Sequence, residues 1–219
     1  MRRQQSSCFQ SALSRLTAAA AIALTAGVML LAPFRPALAA TDAEVIDELS
    51  AYLNRMSTLA GDFIQVAPNG TISEGSFAIR RPGRMRFEYN PPDPTLMIVD
   101  GFWVAVLDEE NDRSVDRFPL SETPLFLILR ERVDLEAEGV IQDVTVEADQ
   151  YRIRASDPSG EAQGDLTLIF NRNPLGLKQW IVTDALGRST TIVLRTTKEG
   201  GPLDNDLFAI PEPERRGRD

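Results

Sequence analysis

Short segments with apolar residues at alternate positions, separated by turn sequences, fill most of the chain after residue 61. Phe77 and Ile79 share a parity in one such segment, and Met85, Phe87 and Tyr89 share a parity in the next. Alternation of period two places apolar side chains on one face of a strand, so we predict about ten strands. Further predicted strands cover residues 63–66, 96–99, 102–107, 115–120, 177–183 and 189–196. Many consecutive short strands are typical of one large antiparallel sheet, curved or closed.

The segment before these strands has helical periodicity. Thr41 is followed three residues later by Glu44, which is the pattern of a capping box at a helix start. The apolar residues that recur at helical spacing after it are Val45, Ile46, Leu49, Tyr52, Leu53, Met56 and Leu59. We therefore predict an amphipathic helix that begins after Thr41 and ends near Ala60 and Gly61, where glycine suits the C-terminal cap.

One strongly apolar run interrupts the strands. Thr123 and Pro124 precede it, and its members are Leu125, Phe126, Leu127, Ile128 and Leu129. Threonine can cap a helix and proline fits the first helical position, so we predict a short helix here. Because this helix would be apolar all round, it must be covered on several sides, for example by lying against the sheet. A buried strand is the alternative.

The first 39 residues have the organisation of a secretory signal peptide. Arg2 and Arg3 precede an apolar run over residues 18–32, and Ala37 and Ala39 then supply small residues where a signal peptidase cleaves. The run is shorter than the roughly 20 residues that a membrane-spanning helix needs. We expect cleavage after Ala39 and export from the cytoplasm. An uncleaved N-terminal anchor is the alternative.

Cleavage would leave a strongly acidic mature chain. The leader holds four of the 23 basic residues and none of the 32 acidic ones, which leaves 19 against 32 and a net charge of −13. Nucleic acids and anionic membrane surfaces both bind basic patches, so this charge argues against either as a partner.

The residue types that carry most catalysis and metal binding are missing. The sequence has no histidine, and its single cysteine, Cys8, precedes the expected cleavage site. This excludes Ser-His and Cys-His nucleophiles and the usual zinc ligands. Asp108, Glu110 and Asp112 alternate as in a calcium loop, but the required glycine and glutamate are absent, so we interpret them as a solvated hairpin tip. We predict no catalytic residue, metal or cofactor. An enzyme acting on lipid or glycan would need a convergent polar cluster, which the sequence does not show.

Arg81 is the one residue that does not fit an apolar face. It has the parity of Phe77 and Ile79, so it either points inward with them or reaches solvent from the strand end beside Pro82. An inward guanidinium needs acceptors, because an unpaired buried charge is costly. Backbone carbonyls at the end of a nearby helix would provide them.

Five segments form an ordered set: residues 75–89 (GSFAIRRPGRMRFEY) with Pro92, 99–103 (VDGFW), 123–129 (TPLFLIL), 182–191 and 208–211 (FAIP). This set resembles the LolA family of periplasmic chaperones, which carry lipoproteins to the outer membrane. The resemblance spans about residues 42–213. It implies one domain over residues 40–213. The tail at 214–219 consists of charged residues and one glycine, so we expect it to be disordered.

The resemblance implies an unclosed β-barrel, mainly β with some α, whose helical lid covers an apolar cavity. Arg81 matches the arginine that latches the lid in the empty state. Met85, Phe87 and Tyr89, with Phe77 and Ile79 on the neighbouring strand, would line the cavity for acyl chains. Leu125 to Leu129 would form the lid helix.

The implied function is that of a non-enzymatic, monomeric periplasmic carrier. It would receive acylated lipoproteins from an ABC-type release complex of the inner membrane and pass them on at the outer membrane, with or without a separate receptor there. The alternative is a periplasmic regulatory protein that uses the same cradle to sense lipoproteins or other amphiphiles.

Overall fold

A computed structural model describes residues 41–108 and 115–211 of the chain. The expected signal peptide, Cys8, Glu110, Asp112 and the tail at 214–219 lie outside the described residues. The helices are α1 (Asp42–Arg55) and α2 (Phe126–Leu129). The strands are β1 (Thr58–Val66), β2 (Ile72–Arg80), β3 (Arg84–Tyr89), β4 (Thr95–Asp100), β5 (Trp103–Asp108), β6 (Val115–Pro119), β7 (Ile141–Val146), β8 (Gln150–Ser156), β9 (Asp165–Arg172), β10 (Leu175–Thr183) and β11 (Ser189–Glu199).

All eleven strands of the described part form one antiparallel sheet in the order β6-β5-β4-β3-β2-β1-β11-β10-β9-β8-β7. Strands β6 and β7 are the two edges, so the sheet is unclosed, as expected. The sheet is also strongly bent. Strands β3 and β10 are four steps apart, about 19 Å along a flat sheet, yet the Phe87 and Trp180 rings on them are 5.8 Å apart.

Helix α1 begins as predicted and ends earlier than predicted. Thr41 and Glu44 form the full capping box. The helix ends at Arg55, and Leu59 is buried from strand β1 instead. The expected cap at Gly61 is wrong, because Gly61 lies in β1 at a register shift, where an added Cβ would be 2.6 Å from the Arg195 carbonyl oxygen.

The segment of residues 120–140, which joins β6 to β7, carries α2 and is named the lid segment. Its apolar run is helical, so the buried-strand alternative is wrong, but the helix has a single turn. Leu125 is its N-cap, and the Thr123 hydroxyl donates to the Leu120 carbonyl instead of capping α2. No helix within the described ranges is long and apolar enough to cross a membrane.

The two faces of the sheet bury separate apolar clusters. The large cluster joins α1, the lid segment and the inner face of the sheet, and is named the inner cluster. A small cluster of Leu96, Ile98, Ala105 and Leu107 lies on the outer face, against Ile210. Four arginine side chains of β2, β3 and β6 donate to the segment 203–211 that crosses this face: Arg80, Arg84, Arg86 and Arg117.

Candidate functional site

The five side chains predicted to line a cavity lie together on the inner face of β2 and β3. Phe77 is directly opposite Phe87, and Ile79 is directly opposite Met85. These four are at most 3% exposed, whereas Tyr89 is half-buried. Tyr89 donates to the Gln65 side chain at 2.7 Å. The structure thus brings the five residues together, and their contact with acyl chains stays a prediction.

Phe87 is the centre of an aromatic group that the sequence did not single out. Its ring centroid is 4.7 Å from that of Phe63, 5.6 Å from Phe77 and 5.8 Å from Trp180. These rings belong to four strands from both halves of the sheet. Alternation assigned each residue to a strand, but only the bending of the sheet places Trp180 beside Phe87.

The lid segment and α1 cover this apolar face. The three buried residues of α2, Leu127, Ile128 and Leu129, belong to the same cluster as Phe87 and as Leu53 of α1. Ser50 is the one buried polar side chain in the described part of the chain. In the described part of the chain, this face therefore offers mainly apolar contact.

Arg81 follows β2 and reaches the end of α2. Its Nη2 donates to the Arg130 carbonyl at 2.8 Å and to the Glu131 carbonyl at 3.3 Å. The guanidinium is half-buried, and desolvation lowers the pKa of Arg81. Within the described residues, its Nε is buried without a hydrogen-bond partner. The structure therefore places Arg81 on carbonyls at a helix end, and its role as a latch stays a prediction.

The turn between β2 and β3 adds a backbone contact next to Arg81. The Gly83 amide donates to the Leu129 carbonyl at 2.8 Å. Gly83 has a φ of +72°, and an added Cβ would lie 2.9 Å from the Gly101 Cα. Glycine is therefore required both for the conformation and for the close approach. Arg81 and Gly83 together hold the three consecutive carbonyls of residues 129–131.

Tyr52 fixes α1 to the sheet from the opposite side of the site. Its hydroxyl accepts from the Leu177 amide at 3.1 Å and donates to the Glu199 carboxylate. Burial raises the pKa of Tyr52, because the neutral phenol is favoured there. Tyr52 was predicted only as part of an apolar stripe, and no sequence pattern links it to residues 177 and 199.

Within the ranges 41–108 and 115–211, no group of three or more histidine, cysteine, aspartate or glutamate side chains could hold a metal ion. Asp108 ends β5 and is half-buried. The other two members of the acidic tip are among the residues that the structure does not describe.

These features define a class of protein: an unclosed, bent antiparallel sheet whose apolar inner face is covered by one long helix and one short helix-bearing segment. The family model described as outer membrane lipoprotein carrier protein LolA matches residues 54–211. The chain belongs to the LolA family.

Related proteins agree with this assignment. The chain is 36% identical over 180 residues to an outer-membrane lipoprotein carrier protein of Dechloromonas aromatica, covering 78% of this chain and 85% of that protein. It is 25% identical over 183 residues to an outer-membrane lipoprotein carrier protein of Chromobacterium violaceum, covering 80% and 87%. It is also 25% identical over 169 residues to an uncharacterized protein of Rickettsia prowazekii, covering 77% and 78%.

Proposed function

We propose that this protein is a non-enzymatic periplasmic carrier that shields the acyl chains of lipoproteins between the inner and the outer membrane. The observation that supports the proposal most strongly is the apolar inner face of the sheet, which α1 and the lid segment cover while Arg81 holds the end of α2. The names of the related proteins point in the same direction.

Acyl chains supply more than enough free energy to displace the lid segment. Each buried methylene contributes about 0.8 kcal/mol, so a chain of about 16 carbons contributes roughly 12 kcal/mol. Several fully buried chains would exceed the practical ceiling on non-covalent affinity, near −18 to −21 kcal/mol. A carrier that must release its cargo therefore needs a process that opposes binding.

Opening the lid segment provides that opposing process. Phe77, Ile79, Met85 and Phe87 are buried beneath α1 and α2, so a chain reaches them only when the covering side chains move away. Part of the binding free energy is then used to break the Arg81 contacts and to expose α2. Closure of the lid segment favours release at the destination.

The proposal also includes the route. The carrier would take triacylated lipoproteins from an ABC-type complex of the inner membrane and deliver them at the outer membrane. The absence of histidine and cysteine from residues 40–219 agrees with a role that needs no catalysis.

The two tryptophans of the chain allow a direct test of where acyl chains bind. Trp103 is 45% exposed, whereas Trp180 is 2% exposed and contacts Phe87. In the variant Trp103→Phe, Trp180 is the only fluorophore of its kind. A synthetic lipopeptide with brominated acyl chains should quench Trp180 on binding, because bromine quenches at contact. Residues 40–219 should also be recovered from a periplasm in one-to-one complexes with acylated lipoproteins, as native mass spectrometry would show.

The matched control is the variant Trp180→Phe, which leaves the exposed Trp103 as the reporter. We expect little quenching in this variant. Binding that quenches Trp103 and leaves Trp180 unaffected would contradict the proposed site. A protein that neither co-purifies with lipoproteins nor binds the lipopeptide would contradict the carrier function, and recognition of another amphiphile as a signal would then be the better interpretation.

A further inference from the structure

The lid segment has a second polar attachment, on α1. The side chain of Asn54, in the last turn of α1, donates from Nδ2 to the Val133 carbonyl at 2.8 Å. Its Oδ1 accepts from the Val133 amide at 2.9 Å. One carboxamide therefore pairs with both backbone groups of one residue, as a neighbouring strand would.

Asn54 projects from an element that is fixed to the sheet. Leu49, Tyr52 and Leu53 on the same helix are at most 2% exposed. The Tyr52 hydroxyl bonds to the Leu177 amide and to the Glu199 carboxylate. Only Met56 and Ser57 separate the end of α1 from the start of β1. The helix that carries Asn54 is thus held by apolar packing, by hydrogen bonds and by the chain itself.

After Val133, the lid segment becomes anchored to the other half of the sheet. Val133, Leu135 and Val140 are at most 2% exposed. The Val140 carbonyl accepts from the Ser156 amide of β8 at 2.9 Å. The other end of the segment is attached as well, because the Leu120 amide donates to the Phe102 carbonyl at 2.9 Å.

The attachment at Arg81 is less completely satisfied than the attachment at Asn54, although Arg81 is charged and Asn54 is a neutral, exposed residue. Arg81 makes one short and one long hydrogen bond from a half-buried guanidinium, and its buried Nε has no partner among the described residues. The two polar groups of Asn54, in contrast, each have a bond under 3 Å to the backbone of a buried residue. Opening admits water to the unpartnered Nε and relieves its desolvation cost, so we expect the Arg81 contacts to break first.

We propose that Asn54 is the pivot of the lid segment: it holds Val133 in place while the residues between Leu120 and Val133 move away from the inner face. This inference rests on the proposed function, because it concerns the motion that admits acyl chains. Asn54 is a positioning residue, since it acts through the backbone of Val133 and lies outside the apolar face that receives cargo.

Two amide hydrogens report separately on the two attachments. The Gly83 amide bonds to the Leu129 carbonyl of the moving part, and the Val133 amide bonds to the Asn54 side chain. Hydrogen exchange measured by NMR, with and without a synthetic diacylated lipopeptide, follows both. Saturating lipopeptide should speed exchange at Gly83 by about tenfold or more, the loss expected for one hydrogen bond of about 1.4 kcal/mol, while Val133 stays protected.

Variants of Asn54 should separate a pivot from a merely structural contact. In Asn54→Ala, the Val133 amide should exchange about tenfold faster even without lipopeptide, since its acceptor is gone. Lipopeptide should then also speed exchange at the Ser156 amide, because opening spreads past residue 133. Asn54→Asp retains the acceptor for the Val133 amide and loses the donor, so it should have an intermediate effect. Ser73→Ala removes a 2.8 Å bond to Asp93 far from the lid segment in sequence and should change neither amide.

The outcomes distinguish this proposal from the proposed function. Lipopeptide that binds and speeds exchange at Gly83 and Val133 equally would overturn the pivot and leave the carrier in place. The pivot would also be overturned, with the carrier left in place, if lipopeptide sped exchange at Gly83 in Asn54→Ala and left the Ser156 amide protected, as in the unmodified protein. A protein that neither binds the lipopeptide nor co-purifies with lipoproteins would overturn the proposed function, and the pivot with it.

Discussion

Replacing Arg81 with leucine should bias the lid segment toward its open form. The variant loses one hydrogen bond of 2.8 Å from a charged donor and one weaker contact at 3.3 Å. Hydrogen bonds to charged groups contribute about 1.5–3 kcal/mol, and the half-exposed guanidinium puts this one at the low end. A change of about 1.4 kcal/mol shifts the ratio of open to closed forms about tenfold. If the closed form dominates in the empty protein, apparent affinity for an acyl chain should rise by the same factor.

Two measurements on the same variant test this reasoning. Titration with a diacylated lipopeptide, followed by quenching of Trp180, should give about tenfold tighter binding for Arg81→Leu. Transfer of a loaded lipoprotein to acceptor outer membranes should be slower, because the closure that favours release is weakened. Arg81→Lys keeps a charge but not the planar donor group, so it should fall between the two proteins.

The neighbouring arginine is a matched control. Arg80 is on the opposite face of β2, where it donates to the Leu203 carbonyl at 3.1 Å and stacks on the Phe208 ring at 5.2 Å. Arg80→Leu removes the same chemical group and should alter neither affinity nor transfer, although it removes a contact to the segment 203–211. The latch would be refuted if Arg81→Leu bound and delivered lipoprotein as the unchanged protein does, or if Arg80→Leu had the same effect.

Two further predictions concern stability. Gly75→Ala should lower the free energy of unfolding by about 1–3 kcal/mol, because the new Cβ would lie 2.1 Å from the Glu88 carbonyl oxygen and 2.7 Å from the Phe63 ring. Thermal unfolding measures this loss. The control Gly176→Ala, whose new Cβ would meet no atom within 4 Å, should lose little stability. Burial raises the pKa of Tyr89 to about 12, because the neutral phenol is favoured in the folded protein. The neutral phenol therefore contributes fully to the free energy of unfolding below the ordinary tyrosine pKa near 10, and this contribution is lost as pH rises through about 12. Denaturant unfolding between pH 10 and 12 should show that the free energy of unfolding falls less in Tyr89→Phe than in the unchanged protein. An equal fall in the two proteins would contradict the raised pKa of Tyr89.

Local patterns in the sequence predicted most of the strands and the start of α1, because each depends on residues close together in the chain. Alternation identified the inner faces of β2 and β3, and Thr41 with Glu44 identified the helix start. The end of α1 was misjudged because Met56 and Leu59 continue the helical spacing by coincidence. Leu59 lies in strand β1 and is buried there, so its apolar side chain is explained without a longer helix.

The features missed at the site all depend on distant residues. Trp180 reaches Phe87 only because the sheet bends through four strand steps. Asn54 and Val133 are 79 residues apart, and no periodic pattern relates them. Arg81 was identified as unusual from its parity, but the choice between solvent and helix carbonyls depended on a resemblance, and the carbonyls of residues 130 and 131 appear only in the folded chain.

Polar contacts can control the lid segment because two apolar free energies nearly balance: the cost of exposing its buried side chains and the gain from burying an acyl chain. The buried Leu127, Ile128 and Leu129 compete with an acyl chain for the same inner cluster. Exposing them costs about 1.5–3 kcal/mol each, or roughly 5–9 kcal/mol together, against roughly 12 kcal/mol gained from one chain of about 16 carbons. The remainder is a few kcal/mol, so a contact of about 1.4 kcal/mol at Arg81 is a substantial share of it. A second contact at Asn54 then matters in a different way, because a fixed pivot limits how many apolar residues leave the cluster and so keeps the opening cost below the gain.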